Sequence, residues 1–293
     1  MSFKNGLQKK GGKMAKCLVL GGAGFIFSHT ADKLIKEGHE VTIVDNLLTG
    51  DMANVNKKAK FFLADTRDQS IGQYFKGIDW VFMGAAVART QWTVDEPMVA
   101  HDINITGTLN CLIAARDAGV KRFVFASSCI VHAPNTPYYV TKKTGEEYMN
   151  IFKKLYGLST ISLRYGNTYG SLRQSEKGPA INVLASLRKS LRDDGYLYLT
   201  GDGEQSRDFI HVNDIVRANL LAAKSDANGT FDICTGVNTS MNEVAKYFKC
   251  KVKHVADRPG DAKHLIQDPD KAKSELGFQS KIPFNYNSIK VYL

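Results

Sequence analysis

A glycine-rich turn near the start of the chain joins an apolar run to an amphipathic stretch. The apolar run Cys17–Leu20 predicts a buried strand, and three glycines follow it within four residues. Gly21 allows the chain to turn sharply, and Gly24 allows the backbone to approach a pyrophosphate. The helix opened by Phe25 and Ile26 would present unpaired amides and the positive end of its dipole to that anion. The segment therefore predicts a dinucleotide site in a strand–turn–helix unit.

The residues around this turn agree with a dinucleotide site, with one departure. A second apolar run, Val41–Val44, ends at Asp45, whose carboxylate would accept hydrogen bonds from the adenosine ribose hydroxyls. The same carboxylate would repel the 2′-phosphate of NADP, so NAD is the predicted cofactor. The departure is Phe27, which stands where a third glycine is expected and should either push helix and strand apart or turn aside. We expect Phe27→Gly to tighten NAD binding.

Length and composition narrow the class of protein. With 293 residues the chain can bury a large core and form one two-lobed unit or two domains. The longest apolar runs have the length of strands, so no membrane span is predicted. Five cysteines lie far apart without paired spacing, which favours a reducing, cytoplasmic compartment and argues against a structural zinc site. We predict no metal site.

Part of the net charge of +10 lies at the N-terminus. Four lysines belong to the Gly/Lys-rich segment 1–13, which is predicted to be a disordered basic tail, and Met14 is an alternative start. The remaining Lys and Arg residues are interspersed with acids rather than clustered with aromatic residues. That pattern suits an enzyme that acts on anionic nucleotides, and nucleic-acid binding is not expected.

Strand-like and helix-like segments alternate through the first half of the chain. After the first two strands, apolar strand patterns occur at 60–63, 80–83, 122–126 and 160–164. Helical patterns occur near 25–37, 99–118 and 139–156. Such alternation is typical of an α/β protein with a doubly wound parallel sheet of the Rossmann type, which binds its ligand at the carboxyl ends of the strands.

The character of the chain changes beyond residue 166. The periodic segments become shorter and richer in Gly, Asp, Arg and Lys, and no Pro- or Ser-rich linker separates the two parts. We therefore predict a cofactor-binding domain over 14–166 and a smaller α/β substrate lobe over 167–293, packed around one cleft. Segments near 209–240 are expected to pack back on the first domain.

A serine pair and a Tyr-x-x-x-Lys motif follow the fifth predicted strand. Ser128 ends that strand, and Tyr138 and Lys142 lie one turn apart on the following helix. The ammonium should stabilise a phenolate and lower the pKa of Tyr138 towards neutrality, so that the tyrosine can exchange a proton with a substrate hydroxyl. Ser128 can hydrogen-bond the same oxygen while a nicotinamide takes the hydride. Tyr139 and Lys143 fit the same spacing, and the spacing alone does not separate the two registers.

Further motifs extend this pattern along most of the chain. They are Val44-Asp45-Asn46-Leu47 with Gly50, Ala64-Asp65-Thr66-Arg67-Asp68, Ala85-Ala86, Asn104-Ile105-Thr106-Gly107-Thr108, Tyr138-Tyr139-Val140-Thr141-Lys142 with Glu146, Leu163-Arg164-Tyr165-Gly166-Asn167-Thr168-Tyr169-Gly170, Gly201-Asp202-Gly203-Glu204-Gln205-Ser206-Arg207-Asp208-Phe209 and Arg258-Pro259-Gly260-Asp261. Together with the glycine turn they resemble the extended short-chain dehydrogenase/reductase family over about residues 16–277. Within that family the chain is most similar to the NAD-dependent sugar-nucleotide epimerases and dehydratases, and to UDP-glucose 4-epimerase-like proteins in particular.

The resemblance implies a catalytic set and two sets of binding residues. Tyr138 and Lys142 match the catalytic pair, with Ser128 at the Ser/Thr position. The residues implied to hold NAD are Gly21, Gly24, Phe25, Ile26, Asp45, Asn46, Asp65, Thr66, Ala85, Ala86, Asn104, Tyr138, Lys142 and Tyr165. The residues implied to hold the sugar nucleotide are Ser128, Asn167, Arg207, Arg258, Asp261 and Leu265. A homodimer formed through the helices near 99–118 and 139–156 is also implied.

Roles within these sets follow from the resemblance and agree with simple chemistry. It implies that Asp45 and Asn46 hold the adenosine ribose. It also implies that Asp65 and Thr66 lie against the adenine. The matched arginines of the second set would converge on the diphosphate, and two guanidiniums bind such a group through strong charge-assisted hydrogen bonds.

The residues after Ser128 narrow the reaction. Family dehydratases carry an acid just after the Ser/Thr position, whereas this chain has Cys129 and Ile130, neither of which can protonate a leaving hydroxyl. The favoured reaction is epimerisation at C4 of a UDP-hexose, either UDP-glucose/galactose or the N-acetyl forms, through a transient 4-keto sugar. Leu265 falls at a position that controls room for an N-acetyl group, so we expect N-acetylated substrates to be accepted.

Departures from the family pattern keep other functions open. Met83 occupies a common His position, His132-Ala133 replace Tyr-Gly, and the stretch Ser128–Tyr138 is much shorter than the loop that covers the sugar pocket in relatives. One alternative is an NAD-binding protein of the same fold with lost or altered activity. Another is a GDP-sugar 3,5-epimerase, suggested by Cys129 and Lys177, or a further sugar-nucleotide dehydratase or reductase.

Two more side chains near the catalytic pair could act as a nucleophile or a base. Cys129 is interpreted as a small buried residue. His132 has no partner that the sequence identifies, and a catalytic histidine needs one to orient it. We therefore assign neither residue a chemical role.

Overall fold

The computed structural model describes residues 14–177, 181–257, 260 and 262–293, and the predicted tail 1–13 lies outside them. The strands are β1 (Lys16–Leu20), β2 (Glu40–Asp45), β3 (Lys60–Leu63), β4 (Trp80–Met83), β5 (Arg122–Ser128), β6 (Thr160–Tyr165), β7 (Asn167–Tyr169), β8 (Tyr196–Thr200), β9 (Ser206–His211), β10 (Gly229–Ile233), β11 (Asn238–Ser240) and β12 (Lys251–Val255). The α-helices are α1 (Phe25–Lys36), α2 (Thr90–Asp95), α3 (Pro97–His101), α4 (Gly107–Asp117), α5 (Pro137–Tyr156), α6 (Val183–Asp194), α7 (Val212–Lys224), α8 (Met241–Phe248), α9 (Asp270–Leu276) and α10 (Tyr286–Ile289). A π-helical turn over Asp102–Thr106 joins α3 to α4.

Parallel strands form the main sheet, in the order β3-β2-β1-β4-β5-β6-β10. Pairing places Leu18 of the inner strand β1 between Thr42 of β2 and Val81 of β4. The winding of the chain reverses at β1, so the loops after β1 and β4 separate there and leave a crevice for a ligand. The predicted strands and the doubly wound, Rossmann-type sheet are confirmed.

Helices cover both faces of the main sheet. On one face, Ala31 and Leu34 of α1 share a buried core with Ile215 of α7. On the other face, Leu112 of α4 and Phe152 of α5 belong to a second core. Because apolar side chains meet the sheet on both sides, its inner strands β1, β4, β5 and β6 are mostly buried runs rather than alternating ones, whereas the edge strand β3 is largely exposed. No helix in the described parts of the chain is long and apolar enough to cross a membrane.

Local signals fix the two ends of α5, the helix that carries the Tyr-x-x-x-Lys motif. Thr136 caps its first turn by accepting a hydrogen bond from the amide of Tyr139 at 3.3 Å. Pro137 occupies the first helical position, where its missing N–H costs nothing. Gly157 ends the helix with φ of +69°, a conformation that glycine adopts readily. The helix therefore begins immediately beside the end of β5.

The remaining strands build a smaller layer. β7, β9 and β11 form a mixed three-stranded sheet, and β8 pairs in parallel with β12. Tyr169, Leu197 and Phe209 lie in the core of this layer, which includes side chains from α6 and α8. β10 returns to the main sheet, and α7 packs against α1. The domain division at residue 166 stays a prediction.

Candidate active site

A cavity of about 410 Å³ lies where the carboxyl ends of the main-sheet strands face the smaller layer. Gly21, Gly24 and Lys142 line it from the main sheet, and Arg207 and Leu265 line it from the opposite side. We call the side formed by the loops after β1, β2 and β4 the cofactor wall. The side formed by β7, β8, β9 and the segment after β12 is the substrate wall. Ligands of doubly wound sheets bind at this edge, so the cavity is the candidate active site.

The glycine turn of the cofactor wall leaves no room for side chains. Gly21 has φ of +79°, and a Cβ there would lie 2.7 Å from the backbone nitrogen of Ala85. A Cβ on Gly22 would lie 2.7 Å from the Ile43 side chain. Gly24 precedes α1, and among the described residues no side chain caps the first turn of that helix. Its amides and dipole are therefore available to an anion in the cavity, and the turn fits the pyrophosphate of a dinucleotide.

Asp45, at the end of β2, holds the glycine turn in place. One carboxylate oxygen accepts a hydrogen bond from the amide of Ala23 at 2.9 Å, and the other accepts one from the amide of Leu47 at 2.8 Å. Burial raises the pKa of Asp45, and these two bonds oppose the rise. A carboxylate has about four acceptor sites, so Asp45 keeps capacity for ribose hydroxyls. Sequence reasoning predicted the ribose role and missed the structural one.

The residues predicted to hold the adenosine lie at the ends of β2 and β3. Asn46 donates a hydrogen bond to Asp65 at 2.8 Å. Arg67 donates to both oxygens of Asp65 at 2.9 and 2.8 Å, and this pairing holds the pKa of Asp65 well below its usual range. Thr66 is buried against Gly107, at the start of α4. The structure brings these side chains together, and their contacts with adenine stay a prediction.

Phe27 turns aside and does not force α1 away from β1. Its ring is buried over Gly84, the residue after β4, and a Cβ on Gly84 would overlap the ring. The helix still begins regularly, because the amide of Ser28 donates to the carbonyl of Gly24 at 3.1 Å. The glycine that is missing at position 27 is thus matched by a glycine on the facing strand end.

The Tyr-x-x-x-Lys motif that is predicted to be catalytic lies on the buried face of α5. Tyr138 and Lys142 are 7% and 4% exposed, and both line the cavity. Lys143, by contrast, has a side chain that is 42% exposed and pairs with Glu147 at 3.0 Å. The structure therefore selects the Tyr138–Lys142 register over the one shifted by a residue.

The contacts of Lys142 differ from those that its spacing suggests. Its Nζ donates to the carbonyl of Ala126 at 2.7 Å and lies 5.9 Å from the centre of the Tyr138 ring. Burial lowers the pKa of Lys142 to about 8, and the charge of Glu146 opposes that change. Burial raises the pKa of Tyr138, and a hydrogen bond with Ser128 opposes the rise. The expectation that Lys142 brings the Tyr138 pKa towards neutrality is wrong, because burial raises the pKa of Tyr138 by more than the neighbouring groups lower it.

The other predicted cofactor residues divide between the cavity and its supports. Ala86 and Tyr165 line the cavity, and the Tyr165 hydroxyl donates to Asn219 at 2.6 Å. Asn104 lies in the π-helical turn and is buried. Its side chain bonds the amide and the carbonyl of Val87 at 2.7 and 3.0 Å. Asn104 therefore positions the loop after β4, and its direct contact with NAD stays a prediction.

The predicted substrate residues lie partly within the described structure. Asn167 on β7, Arg207 on β9 and Leu265 line the substrate wall of the cavity. The Arg207 guanidinium donates to a backbone carbonyl of β9 at 2.8 Å, which holds the side chain against that strand. Arg258 and Asp261 lie outside the described residues. Contacts of this set with a sugar nucleotide stay a prediction.

Apart from Lys177, sequence reasoning did not single out the segment 171–177, which we call the strap. Arg173 pairs with Asp32 of α1 at 2.8 Å. Lys177 pairs with Asp51, in the loop after β2, at 3.2 Å. The strap therefore spans from the helix that follows the glycine turn to the loop beside Asp45, across the cofactor wall.

Arg89, in the loop after β4, forms hydrogen bonds with the strap. It is 9% exposed, lines the cavity and donates hydrogen bonds to the carbonyls of Ser175 and Lys177. Lys177 was predicted as support for a 3,5-epimerase together with Cys129. Its ammonium instead bonds the carbonyl of Gly50 at 3.0 Å on the cofactor wall. That alternative therefore loses the lysine that suggested it.

Two residues with unassigned roles now have clear surroundings. Cys129 is buried, and burial raises the pKa of its thiol to about 11, as expected for a space-filling cysteine. His132 does have a partner, because its Nε2 lies 3.0 Å from both oxygens of Asp232 on β10. Sequence reasoning missed this pair because the two residues are a hundred positions apart and no short motif links them.

The shortened Ser128–Tyr138 stretch meets the segment after β12. A Cβ on Gly260 would lie 2.9 Å from Cγ2 of Thr136 and 3.6 Å from the backbone oxygen of Asn135, so Gly260 packs closely against this stretch. Gly260 also lines the cavity.

Comparison with known proteins gives a consistent result. The model of the NAD dependent epimerase/dehydratase family matches residues 17–234. A Methanocaldococcus jannaschii protein, provisionally named UDP-glucose 4-epimerase, is 37% identical over 288 residues, covering 90% of this chain and 93% of that protein. The UDP-glucose 4-epimerase of Lactobacillus helveticus is 32% identical over 91% of this chain and 92% of its own length.

Solved structures show the same similarity. The UDP-glucose 4-epimerase of Thermotoga maritima, solved with UDP-glucose, superposes with a TM-score of 0.89 at 35% identity, covering 94% of this chain and 97% of that one. The UDP-N-acetylglucosamine 4-epimerase of Methanobrevibacter ruminantium, solved with UDP-N-acetylmuramic acid, gives 0.88 at 31% identity, covering 96% and 97%. The Thermus thermophilus UDP-glucose 4-epimerase with NAD gives 0.87 at 30% identity, covering 94% and 98%.

Proposed function

The chain belongs to the NAD dependent epimerase/dehydratase family, and from that premise we propose that it is an NAD-dependent enzyme that epimerises a UDP-hexose at C4. The observation that carries the proposal is the meeting of Ser128, Tyr138 and Lys142 with the glycine turn in one cavity. Relatives named as UDP-glucose 4-epimerases, matched over nine-tenths of the chain, support the same reaction.

The cofactor wall supplies the groups that NAD needs. Gly21 and Gly24 would hold the pyrophosphate against the open end of α1, and Asp45 would hold the adenosine ribose. The Asp45 charge disfavours a 2′-phosphate, so NAD is favoured over NADP. Bound NAD supplies the acceptor and donor of the hydride at C4 of the sugar.

Tyr138 is the acid–base residue of the proposed reaction. Its hydroxyl would exchange a proton with the C4 oxygen of the sugar, once in each direction. The hydrogen bond with Ser128 orients the Tyr138 oxygen and favours its ionised form. Lys142 brings a positive charge to the same buried site, where the low dielectric strengthens its effect. Exchange of the C4 configuration then requires that the sugar turn over within the cavity.

The residues after Ser128 argue against elimination of water. Dehydration would need an acid at this point, and the chain offers Cys129 and Ile130. Burial raises the pKa of the Cys129 thiol to about 11, so it is a poor proton donor at neutral pH. The site therefore supports epimerisation without dehydration.

Leu265 supports a substrate range that includes N-acetylated sugars. Its side chain is buried and lines the substrate wall. Leucine occupies less volume than an aromatic residue and so leaves more room at this point of the cavity. We propose that both UDP-glucose/galactose and their N-acetyl forms are accepted.

A homodimer in the cytoplasm is part of the proposal. Exposed apolar side chains lie on the two helices expected to form the contact, including Ile113 on α4 and Val140, Ile151 and Leu155 on α5. Apolar side chains grouped on one surface favour association. Sedimentation of the purified protein tests the dimer, and Leu155→Glu should shift it towards the monomer.

The proposed reaction is tested with a panel of UDP-, dTDP- and GDP-sugars. We expect NMR of the products to show interconversion of UDP-glucose with UDP-galactose and of the corresponding N-acetyl sugars. Tyr138→Phe, which keeps the ring and loses the hydroxyl, is the control. If the wild type converts no sugar while retaining NAD, the proposal fails and an NAD-binding role is favoured. Turnover of UDP-glucose with none of UDP-N-acetylglucosamine would refute the role of Leu265.

A further inference from the structure

Glu146 lies one turn beyond Lys142 on the buried face of α5. It is 1% exposed. Its Oε1 accepts hydrogen bonds from Ser127 Oγ at 2.6 Å and from Arg164 Nε at 2.7 Å. Its Oε2 accepts one from Arg164 Nη2 at 2.7 Å. Both oxygens of the carboxylate are therefore held, mostly by charge-assisted bonds of the strong, forked kind.

Basic and acidic side chains alternate from Glu146 outward to the surface. Arg164, on β6, lies 3.8 Å from Asp232 on β10. Asp232 in turn binds His132 at 3.0 Å, and the side chain of His132 is 30% exposed. Glu146 is thus the buried end of a row whose outer end reaches solvent. The proton and hydride transfers of the proposed reaction do not involve this row of side chains.

The row ends beside a buried ammonium that has little other support. Lys142 is 4% exposed, and the acceptor of its hydrogen bond is the neutral carbonyl of Ala126. Burying an ammonium favours its uncharged form, and Glu146 is the charge that opposes this effect on Lys142. Removing that counter-charge should therefore lower the pKa of Lys142 further.

The titratable neighbours of these two residues come from few elements. Facing Lys142 are Tyr138 and Glu146 on α5 itself, whereas β5 contributes the neutral Ala126 and Phe125. Facing Glu146 are Arg164 on β6 and Lys143 on α5, 3.9 Å away, whereas β5 contributes Ser127. Among these groups, Glu146 is the acidic residue whose charge opposes the effect of burial on Lys142.

We propose that Glu146 is a positioning residue of the epimerisation, which supplies the buried counter-charge of the catalytic lysine, while Arg164 holds the Glu146 carboxylate in place. The consequence for turnover rests on the proposed function. The effect of Glu146 on the charge of Lys142 does not depend on that function, and it can be measured in a protein that converts no sugar.

The direct test follows the charge of Lys142 by NMR of protein labelled with ¹³C and ¹⁵N at lysine. Lys142→Met identifies the resonance. We expect Glu146→Gln to lower the midpoint of the Lys142 titration by about one pH unit or more, the scale of shifts that buried charges cause. Glu147→Gln is the matched control, because it makes the same change one residue along at a side chain that is 56% exposed. It should leave the midpoint in place, and Glu146→Asp, which retains the charge, should largely restore it.

The second readout is the pH profile of kcat with a sugar that the wild type converts. Loss of the Lys142 proton should limit activity on the alkaline side, so that limb should move to lower pH in Glu146→Gln and stay in place in Glu147→Gln. A purely structural role would instead lower activity by the same factor at every pH. A folded Glu146→Gln protein with the wild-type Lys142 midpoint would overturn the inference.

A double variant covers the case in which Glu146→Gln does not fold because it leaves Arg164 without its partner. Glu146→Met with Arg164→Met replaces the ion pair by side chains of similar volume, a change that is often neutral or stabilising. Because the double variant also removes the Glu146 charge that opposes the effect of burial on Lys142, the midpoint should still fall. An unchanged midpoint in the double variant counts against the proposal. If the titration behaves as expected and no sugar is converted, the proposed function has failed and this inference has not.

Discussion

The two walls of the cavity are held in different ways. The cofactor wall depends on backbone, because Gly21 meets Ala85 with no space for a side chain, and backbone amides of the turn bind Asp45. The substrate wall depends on side chains such as Arg207 and Leu265, carried by a short strand and a loop. A wall made of backbone tolerates few substitutions, whereas a wall made of side chains can change its ligand and keep its fold. The cofactor is therefore easier to infer for such a chain than the sugar.

The largest expected effect lies between the two walls, at Tyr138. Tyr138→Phe removes the group that is proposed to exchange a proton with the sugar and leaves the ring in its buried position. We expect kcat to fall by about 10²–10⁴-fold, the range of general acid–base catalysis, with little change in NAD affinity. Turnover assays beside calorimetry with NAD separate the two quantities. A variant that lost both equally would place Tyr138 on the cofactor wall rather than between the walls.

The next effect concerns Phe27, which lies in the first turn of α1 where a third glycine is expected. Phe27 fills the space over Gly84, so Phe27→Gly should open a cavity and reduce the free energy of unfolding by about 3–5 kcal/mol, the usual cost of truncating a buried phenylalanine. Gly84→Leu alone should also destabilise, because its side chain would overlap the ring. The double variant exchanges the large and small residues and should recover much of the loss.

Thermal or denaturant unfolding of the two single variants and the double variant measures the coupling directly. Additive losses would show that Phe27 and Gly84 are not matched. The tightening of NAD binding by Phe27→Gly stays a prediction, and calorimetry on the same proteins tests it. An affinity that is unchanged or weaker would show that the ring does not hinder the pyrophosphate.

The sequence predicted the parts of the site that obey a period or a spacing. The strand ends that carry Asp45 and Ser128 follow apolar runs of strand length, and Tyr138 and Lys142 lie one helical turn apart. Parallel strands of a doubly wound sheet bring such ends to one edge, so the meeting of these residues could be predicted before any coordinates.

Contacts across long stretches of chain could not be predicted in this way. His132 and Asp232 meet because β10 returns to the edge of the main sheet beside β6, which no local pattern announces. The role of Gly84 cannot be predicted from the sequence, because it depends on contact with the Phe27 ring in the folded protein. The direction of the Tyr138 pKa was also missed, because spacing shows that Lys142 is near and does not show that its ammonium points to Ala126.

A smaller effect is expected from a methyl group on the cofactor wall. Gly21→Ala combines a positive φ with a Cβ 2.7 Å from the Ala85 nitrogen, so both strain and overlap should weaken the turn and NAD binding. Gly38→Ala is the matched control, since φ there is +90° and its Cβ would have no described neighbour within 4 Å. The control should lose about 1–2 kcal/mol of stability from strain alone, and the turn variant more. Equal losses, with NAD affinity intact in both, would show that the wall does not depend on backbone contact.

The smallest effect is expected at the strap, where side chains close over the backbone wall. Lys177 and Asp51 are both about half exposed, so solvent screens their pairing and its removal should change little at equilibrium. Because the pair joins the strap to the loop beside Asp45, Lys177→Gln should speed the release of bound dinucleotide by about two- to fivefold at low salt, and less at high salt. Lys189→Gln breaks an equally exposed pair with Asp193 on α6 and should leave release unchanged. Stopped-flow displacement of the reduced, fluorescent dinucleotide measures these rates. If both variants release it equally fast, the strap is a surface feature and the cofactor wall is held by backbone alone. If release is faster in Lys177→Gln only, side chains help to retain the cofactor on that wall, as they are proposed to select the sugar on the other.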